Sequence, residues 1–357
     1  LLQALAAAAA ASDRLGVPRH ALAALAAAGL LGTPLEPPAL QRELTERLFM
    51  ADGSLCFCWL QQQMPLRRLR AAVSTLEAPQ ADQLRRRWLE PVASGRALAA
   101  VAFAQLRRPA AAQATASRSG TGWCLEGRLD WITSWDIADL ALLCLRCRDR
   151  SGDRVVGLLL PAGASGQPLP AGISLGDPLP LLAMGGTHTR AMQFTAAQLP
   201  DSQVLFVEDF ARWSRADAAV VCRVSPVVFG CIRAALADLQ RAAAQQGDAT
   251  ALALTAALAD ECRQLRRAAY DLIDADPDDS PELRRRHRQL RARALELAMR
   301  AAQAAVIAHA GSAMLVGAPV ERHLREASFL LVQAQTTESR RASLDLLRRV
   351  CTDGARF

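Results

Sequence analysis

The chain has 357 residues, 51% of them apolar, and a net charge of +7, which is material for a large core shared between two or three ordinary domains. All 42 basic residues are Arg, and a chain without Lys has neither a Walker phosphate loop nor a Schiff-base or pyridoxal lysine. A single Tyr and sparse aromatics leave no stacking platform for single-stranded nucleic acid, so the Arg excess reads chiefly as solubilising surface and no nucleic acid is expected.

The chain opens LLQALAAAAAAS, too short, too Ala-rich and too poor in basic residues for a signal peptide. Residues 1–95 read as helices. Leu22, Leu25, Leu30 and Leu31 lie near helical spacing and stop at Gly32; a second helix starts near Pro38 with Leu40, Leu44 and Leu48 as its buried stripe. After Asp52-Gly53-Ser54 an apolar helix begins, LCFCWL, with Ser54 as its cap, followed by Gln61, Gln62 and Gln63.

From 96 to 205 Gly and Pro become frequent. Short runs such as GWCLEGRLDWIT, ADLALLCLRC and DRVVGLLLP, separated by turn signals at Gly120, Gly152 and Gly163, argue for a β-domain. Trp123, Leu125 and Gly127 alternate as in a half-exposed strand. From 206 to 357 the helical period returns in long blocks, with the acidic linker DADPDDSP at 274–281 and then one long helix from an Arg-rich start to an apolar end. The fold class is therefore α+β, mostly α: an N-terminal helical domain, a central β-domain and a C-terminal four-helix bundle.

The nine Cys include a C-x-C at Cys56 and Cys58 and a C-x-x-C at Cys144 and Cys147. Neither lies near a second pair or a His cluster at zinc spacing, so they read as small buried hydrophobes and no metal is expected. Free thiols suit a reducing, cytoplasmic compartment. No run of about 18 strongly apolar residues suggests a membrane span.

Two segments carry a resemblance to the acyl-CoA dehydrogenase superfamily. In HAGSAMLVGAPVERHLREASFLLVQAQTTESRRASLDLL, Gly311, Pro319, Glu321, Arg322, Arg325, Glu326, Ala327, Thr336, Thr337 and Glu338 match without a gap the family's Gly-Gly, Pro-x-Glu-Arg, Arg-Asp-Ala and Tyr-Glu-Gly-Thr-Thr-Glu stretch. GWCLEGRLDWITSWDIADL is similar to the family's Gly-Tyr-x-Leu-Asn-Gly-x-Lys-x-Trp-Ile-Thr. The resemblance implies a flavin, with Trp131 against the ring, the Thr133 hydroxyl at its N5 edge, and Gly311 and Thr336 in the cofactor site. It also implies homodimers or homotetramers built through the helical bundle.

The sequence departs from that pattern at the chemistry. Abstracting the α-proton of an acyl-CoA needs a carboxylate, and the family's Glu position is Ala334, inside Gln333-Ala334-Gln335. The alternative position, counted back from Gly230, holds Val220, Val221 and Cys222; Glu208 and Asp209 lie upstream as relocated candidates. Arg241 to Gly247 only faintly echoes the family's Arg-x-x-Phe-Gly, and Ile307 replaces its adenine-side Gln. Ala104 to Pro109 replaces its Thr-Glu-Pro loop, leaving Arg107 and Arg108 as candidate phosphate ligands.

The expectation is a flavin-dependent oxidoreductase of oxidase or monooxygenase type rather than a CoA-thioester dehydrogenase, acting on a small molecule. It would use FAD, or reduced FMN from a partner reductase, and Gln61 to Gln63 or His309 would serve oxygen chemistry. The alternatives are a non-catalytic relative kept for binding or assembly, and a dehydrogenase with a relocated base.

Overall fold

A computed structural model describes residues 1–32, 34–109, 113–149, 152–275 and 280–353. Helices open the chain: α1 (Leu2–Leu15), α2 (Arg19–Ala27), α3 (Pro38–Ala51), α4 (Gly53–Thr75), α5 (Ala78–Leu84) and α6 (Glu90–Ala93). Three local expectations change. α2 stops at Ala27, so Leu30 and Leu31 lie in the turn after it. The α3 stripe is partial: Leu48 is fully buried, while Leu40 is 51% exposed because it sits at the solvated start of the helix. α4 is capped not by Ser54 but by Asp52, whose carboxylate accepts from the Leu55 N–H at 2.9 Å.

An eight-stranded sheet follows: β1 (Ala99–Ala102), β2 (Thr115–Ser119), β3 (Gly122–Ile132), β4 (Leu140–Asp149), β5 (Gly152–Pro161), β6 (Ile173–Pro178), β7 (Arg190–Pro200) and β8 (Val204–Asp209). The order is β6-β7-β3-β2-β4-β5-β8, with β1 parallel to β4 and a short parallel β2–β4 pairing; the rest is antiparallel. Trp123, Leu125 and Leu129 of β3 point into the sheet's own core with Phe194 and Leu143, while Glu126 and Arg128 face outward, as the period of two requires.

Helices then resume: α7 (Phe210–Val221), α8 (Pro226–Gln246), α9 (Ala249–Ala275), α10 (Pro281–His309), α11 (Pro319–Leu330) and α12 (Thr337–Asp353). Asp276 to Asp279 of the expected acidic linker lie outside the described residues. The segment Phe210–Gln246 is long and apolar enough to cross a membrane, against the reading that no such run exists. Its apolarity has a packing cause: 67% of the spanning-length window is buried, and Phe229, Ile232 and Leu239 of α8 lie at the centre of the bundle.

The N-terminal helices and the bundle share one core, in which Leu48, Phe49, Leu55 and Trp59 pack with Phe229, Leu295, Leu297 and Leu330. Gly230 permits this contact: a Cβ there would lie 2.5 Å from the Glu46 carbonyl oxygen and 2.9 Å from the Phe49 Cβ. All described Cys are free, and burial pushes the Cys58 and Cys144 thiols up to about 12, as expected of inert core residues.

Candidate functional site

β3 ends in a bulge. Leu129 pairs with Met192 and Ile132 with Arg190, so three steps on β3 oppose two on β7. The extra residue turns the end of the strand. Trp131 emerges 45% exposed, whereas Thr133, bridged to Val101, is 7% exposed. The Thr133 hydroxyl accepts a long 3.4 Å bond from Thr189, whose oxygen is 2.8 Å from that of Thr187. An open indole two residues from a lightly engaged hydroxyl suits one flat, polar-edged ligand.

The phosphate half is differently furnished. Arg107, in the single turn Ala104–Arg107 after β1, donates through Nε and Nη2 to both oxygens of Asp217 on α7, each at 2.7 Å. Arg108 pairs with Asp130, which also takes Arg128 Nε at 2.7 Å. Burial works to raise the Asp130 carboxyl, but the two guanidiniums outweigh it and hold it below its usual value. Arg107 is thus neutralised by Asp217, whereas Arg108 and Arg128 share the one carboxylate of Asp130, which leaves a net positive charge there. Arg241 likewise pairs with Asp238 at 3.0 Å, and Gly247 ends α8 at φ 65°.

Ala334, where the sequence resemblance looks for a base, is half-buried and left-handed, with φ 50°. No carboxylate comes from the relocated candidates. Glu208 is paired with Arg68, and Asp209 caps α7 by accepting from the Arg212 N–H at 2.7 Å. Between Val221 and Gln333 lies Arg291 of α10. Its Nη1 donates to the carbonyl of Val221 at 2.8 Å, and its Nη2 to that of Gln333 at 2.6 Å. Arg291 is 5% exposed, its Nε has no hydrogen-bond partner, and no carboxylate pairs with it among the described residues. Burial, followed by the like charge of Arg107, pushes its guanidinium down to about 10.

Arg291 and Asp217 escaped the sequence reading. One signal was available: Leu283, His287, Arg291 and Leu295 form an i, i+4 row on α10, so Arg291 interrupts a buried row rather than decorating a solvated face.

The remaining candidates hold structural positions. Gln62 is fully buried, donating to the Ala99 carbonyl at 2.7 Å and accepting from the Ala99 N–H at 2.7 Å; Gln61 and Gln63 bond back to their own helix. His309 Nε2 lies 3.3 Å from the Asp238 carbonyl. Thr336 and Ser339 cap α12 reciprocally, the Thr336 N–H reaching Ser339 Oγ at 2.8 Å. Gly311 stands open, near exposed Ile307, Met314, Leu315 and Val316. The matched C-terminal motif ties regions together: Arg325 bonds Asp13 of α1 at 2.7 Å and also Glu321, and Arg322 bonds Glu326 at 2.9 Å.

No protein-family model and no curated protein matches the sequence. Solved structures do match in shape. Nitrososynthase from Micromonospora carbonacea var. africana superposes with a TM-score of 0.71 at 21% identity, over 97% of this chain and 93% of that one. Butyryl-CoA dehydrogenase from Megasphaera elsdenii gives 0.70 at 18%, over 97% and 94%. KijD3, solved in complex with FMN and a dTDP-amino-keto sugar, gives 0.71 at 19%, over 99% and 91%. The helical, β and helical-bundle regions are thus arranged over nearly the whole chain as in these proteins: this chain has the acyl-CoA dehydrogenase fold.

Proposed function

We propose that the chain is a flavin-dependent oxidoreductase that oxidises or oxygenates a small molecule and does not dehydrogenate a CoA thioester. The observation that carries this reading is the Arg291 guanidinium, bonded to Val221 and Gln333 where an acyl-CoA dehydrogenase needs a carboxylate. A buried cation cannot accept the substrate's α-proton, and Ala334 cannot either.

Trp131 and Thr133 would hold the ring. With Arg107 neutralised by Asp217 and Arg108 held by the Asp130 it shares with Arg128, neither guanidinium stands free for a bound nucleotide's phosphates, which favours a loosely held flavin: FMN supplied reduced by a partner reductase over permanently bound FAD. The neighbour solved with FMN supports the same choice. When bound, the flavin supplies two-electron redox chemistry and, once reduced, reactivity towards O2. The chain's residues orient the ring. The exposed apolar strip of Ile307, Met314, Leu315 and Val316 around Gly311 supports a homo-oligomer in which a second copy completes the site.

The test is flavin titration followed by absorbance, then O2 consumption with a flavin reductase and NADH, beside a panel of acyl-CoAs with a dye acceptor. Flavin binding with reductase-dependent O2 uptake and a silent acyl-CoA panel is the expected result. Absence of binding at high micromolar FMN and FAD, or dye reduction by an acyl-CoA, rejects the proposal.

A second reading, a non-catalytic scaffold of the same fold, is favoured by the carboxylate partners that hold both Arg107 and Arg108. Failure to bind flavin together with retention of Tm and oligomer would select it.

A further inference from the structure

α9 and α12 each pack along α10 and leave a groove between them, with a cavity of about 390 Å³. Small-molecule sites span about 300–1,000 Å³, so there is room for a ligand. On α10, Arg286, Leu290 and Arg293 run i, i+4, i+7 down one face, and on α12 Ala342, Leu346 and Arg349 do the same. Leu272 of α9 completes an aliphatic floor with Leu290 and Leu346, and the short Ala342 side chain leaves its width. No aromatic ring, hydroxyl or carboxylate lines the groove among the described residues.

The rim is electropositive. Arg286 and Arg293 are exposed, and the acids near them along the helices are engaged elsewhere. Glu282 is held by Arg285 at 2.8 Å and Glu296 by Arg300 at 2.6 Å. On α9, Asp271 faces Arg267 at 3.7 Å and Asp274 bonds Arg42 at 2.6 Å. Asp345 of α12 adjoins Leu346 in sequence but does not line the groove. Arg286 and Arg293 therefore have no ion-pair partner among the described residues. They stand two helical turns apart, about 10 Å, with Leu290 between them. A carboxylate on either guanidinium finds a planar fork of donors and, next to it, the aliphatic floor.

We propose that this groove binds an unbranched aliphatic carboxylate, its head group on the arginine rim and its chain along Leu272, Leu290 and Leu346. A nucleotide or sugar would want a ring to stack on or hydroxyls to bond, and a cationic ligand would want an acid; the lining offers none of these. Neither Trp131 nor Ala334 lines the groove, so the site does not depend on the redox reading.

Decanoate, decanol and acetate are the probes, titrated calorimetrically into the full chain. Decanoate is expected to bind and raise Tm, with affinity rising about threefold per methylene from hexanoate to decanoate. Decanol lacks the charge and should bind at least about tenfold more weakly; acetate lacks the chain and should not bind measurably. Arg286→Gln and Arg293→Gln combined should weaken decanoate at least about tenfold, and Ala342→Phe, which fills the groove, should abolish its binding. Should either variant fail to fold, wild-type crystals soaked in tail-brominated decanoate give the same answer, with anomalous bromine density expected against Leu272, Leu290 or Leu346. The proposal is overturned by decanol binding as tightly as decanoate, by undiminished decanoate affinity in the folded variants, or by bromine density elsewhere, such as beside Trp131. Absence of decanoate binding overturns it too, the outcome if a second copy of the chain covers the groove.

Discussion

Arg291 donates to the carbonyl of Gln333 at 2.6 Å, one residue before Ala334, so the turn that carries Ala334 is held by a buried cation. The same guanidinium reaches Val221 on α7 at 2.8 Å. One side chain thus ties together the two segments where the sequence resemblance looks for a base, and neither Val221 nor Gln333 is an acid.

Ala334 is held in the left-handed region at φ 50°, which a Cβ disfavours. Ala334→Gly relieves that strain, offset in part by the extra freedom of Gly in the unfolded chain. We expect a gain in stability of up to about 1 kcal/mol by denaturant titration. A loss of more than this would mean that the Ala334 methyl packs against something essential.

Trp131 contributes little to the core, since nearly half of its surface is open. Trp131→Ala should leave the Tm almost unchanged while raising the flavin dissociation constant at least about tenfold, as loss of a stacked aromatic does. Unchanged flavin affinity would remove Trp131 from the site.

Gln62 bonds both the N–H and the carbonyl of Ala99, the first residue of β1, and thereby fastens α4 to the sheet. Gln62→Leu strands two buried backbone groups and should destabilise the fold by about 2–4 kcal/mol. A variant with unaltered Tm but more wasteful flavin oxidation would instead assign Gln62 to oxygen chemistry.

Burial raises the Asp52 carboxyl from its ordinary 3.8 to about 6; the Leu55 N–H, Ser12 and Arg322 oppose the shift and Glu326 adds to it. Between those two values the folded state binds more protons than the unfolded state, so stability falls as pH rises from about 4 to about 6 and then levels off. The drop amounts to something on the order of 3 kcal/mol. Asp52→Asn keeps the cap on α4 and should remove this slope from urea midpoints measured across that range. An unchanged slope would place the pH dependence elsewhere.

Much of the architecture was legible because it follows from periodicity. The long α10 helix shows as an unbroken 3.6-residue pattern, and β3 as alternation around Trp123 and Leu125. Local detail was less legible. Ser54 and Asp52 are equally good capping residues, and only the backbone turn selects Asp52. Gln62 looked like one of three equivalent polar residues, yet it alone faces β1 and is fully buried.

The candidate site divides in the same way. The stretch around Ala334 is where the resemblance looks for the base, and the residue found there is legible from sequence alone, because identity at a position needs no coordinates. What stands in its place is a tertiary fact. Arg291, Val221 and Gln333 are separated by 70 and 42 residues in the chain, and only the packing of α7, α10 and the turn after α11 brings them within hydrogen-bond reach. Arg107 and Arg108 show the converse. Their type suggested free cations for a phosphate, but a charge is free or cancelled according to its neighbours, and folding delivers Asp217 and Asp130 to them. Composition and spacing determined the fold; the electrostatics of the candidate site, which depend on distances between remote residues, were decided only by the tertiary structure.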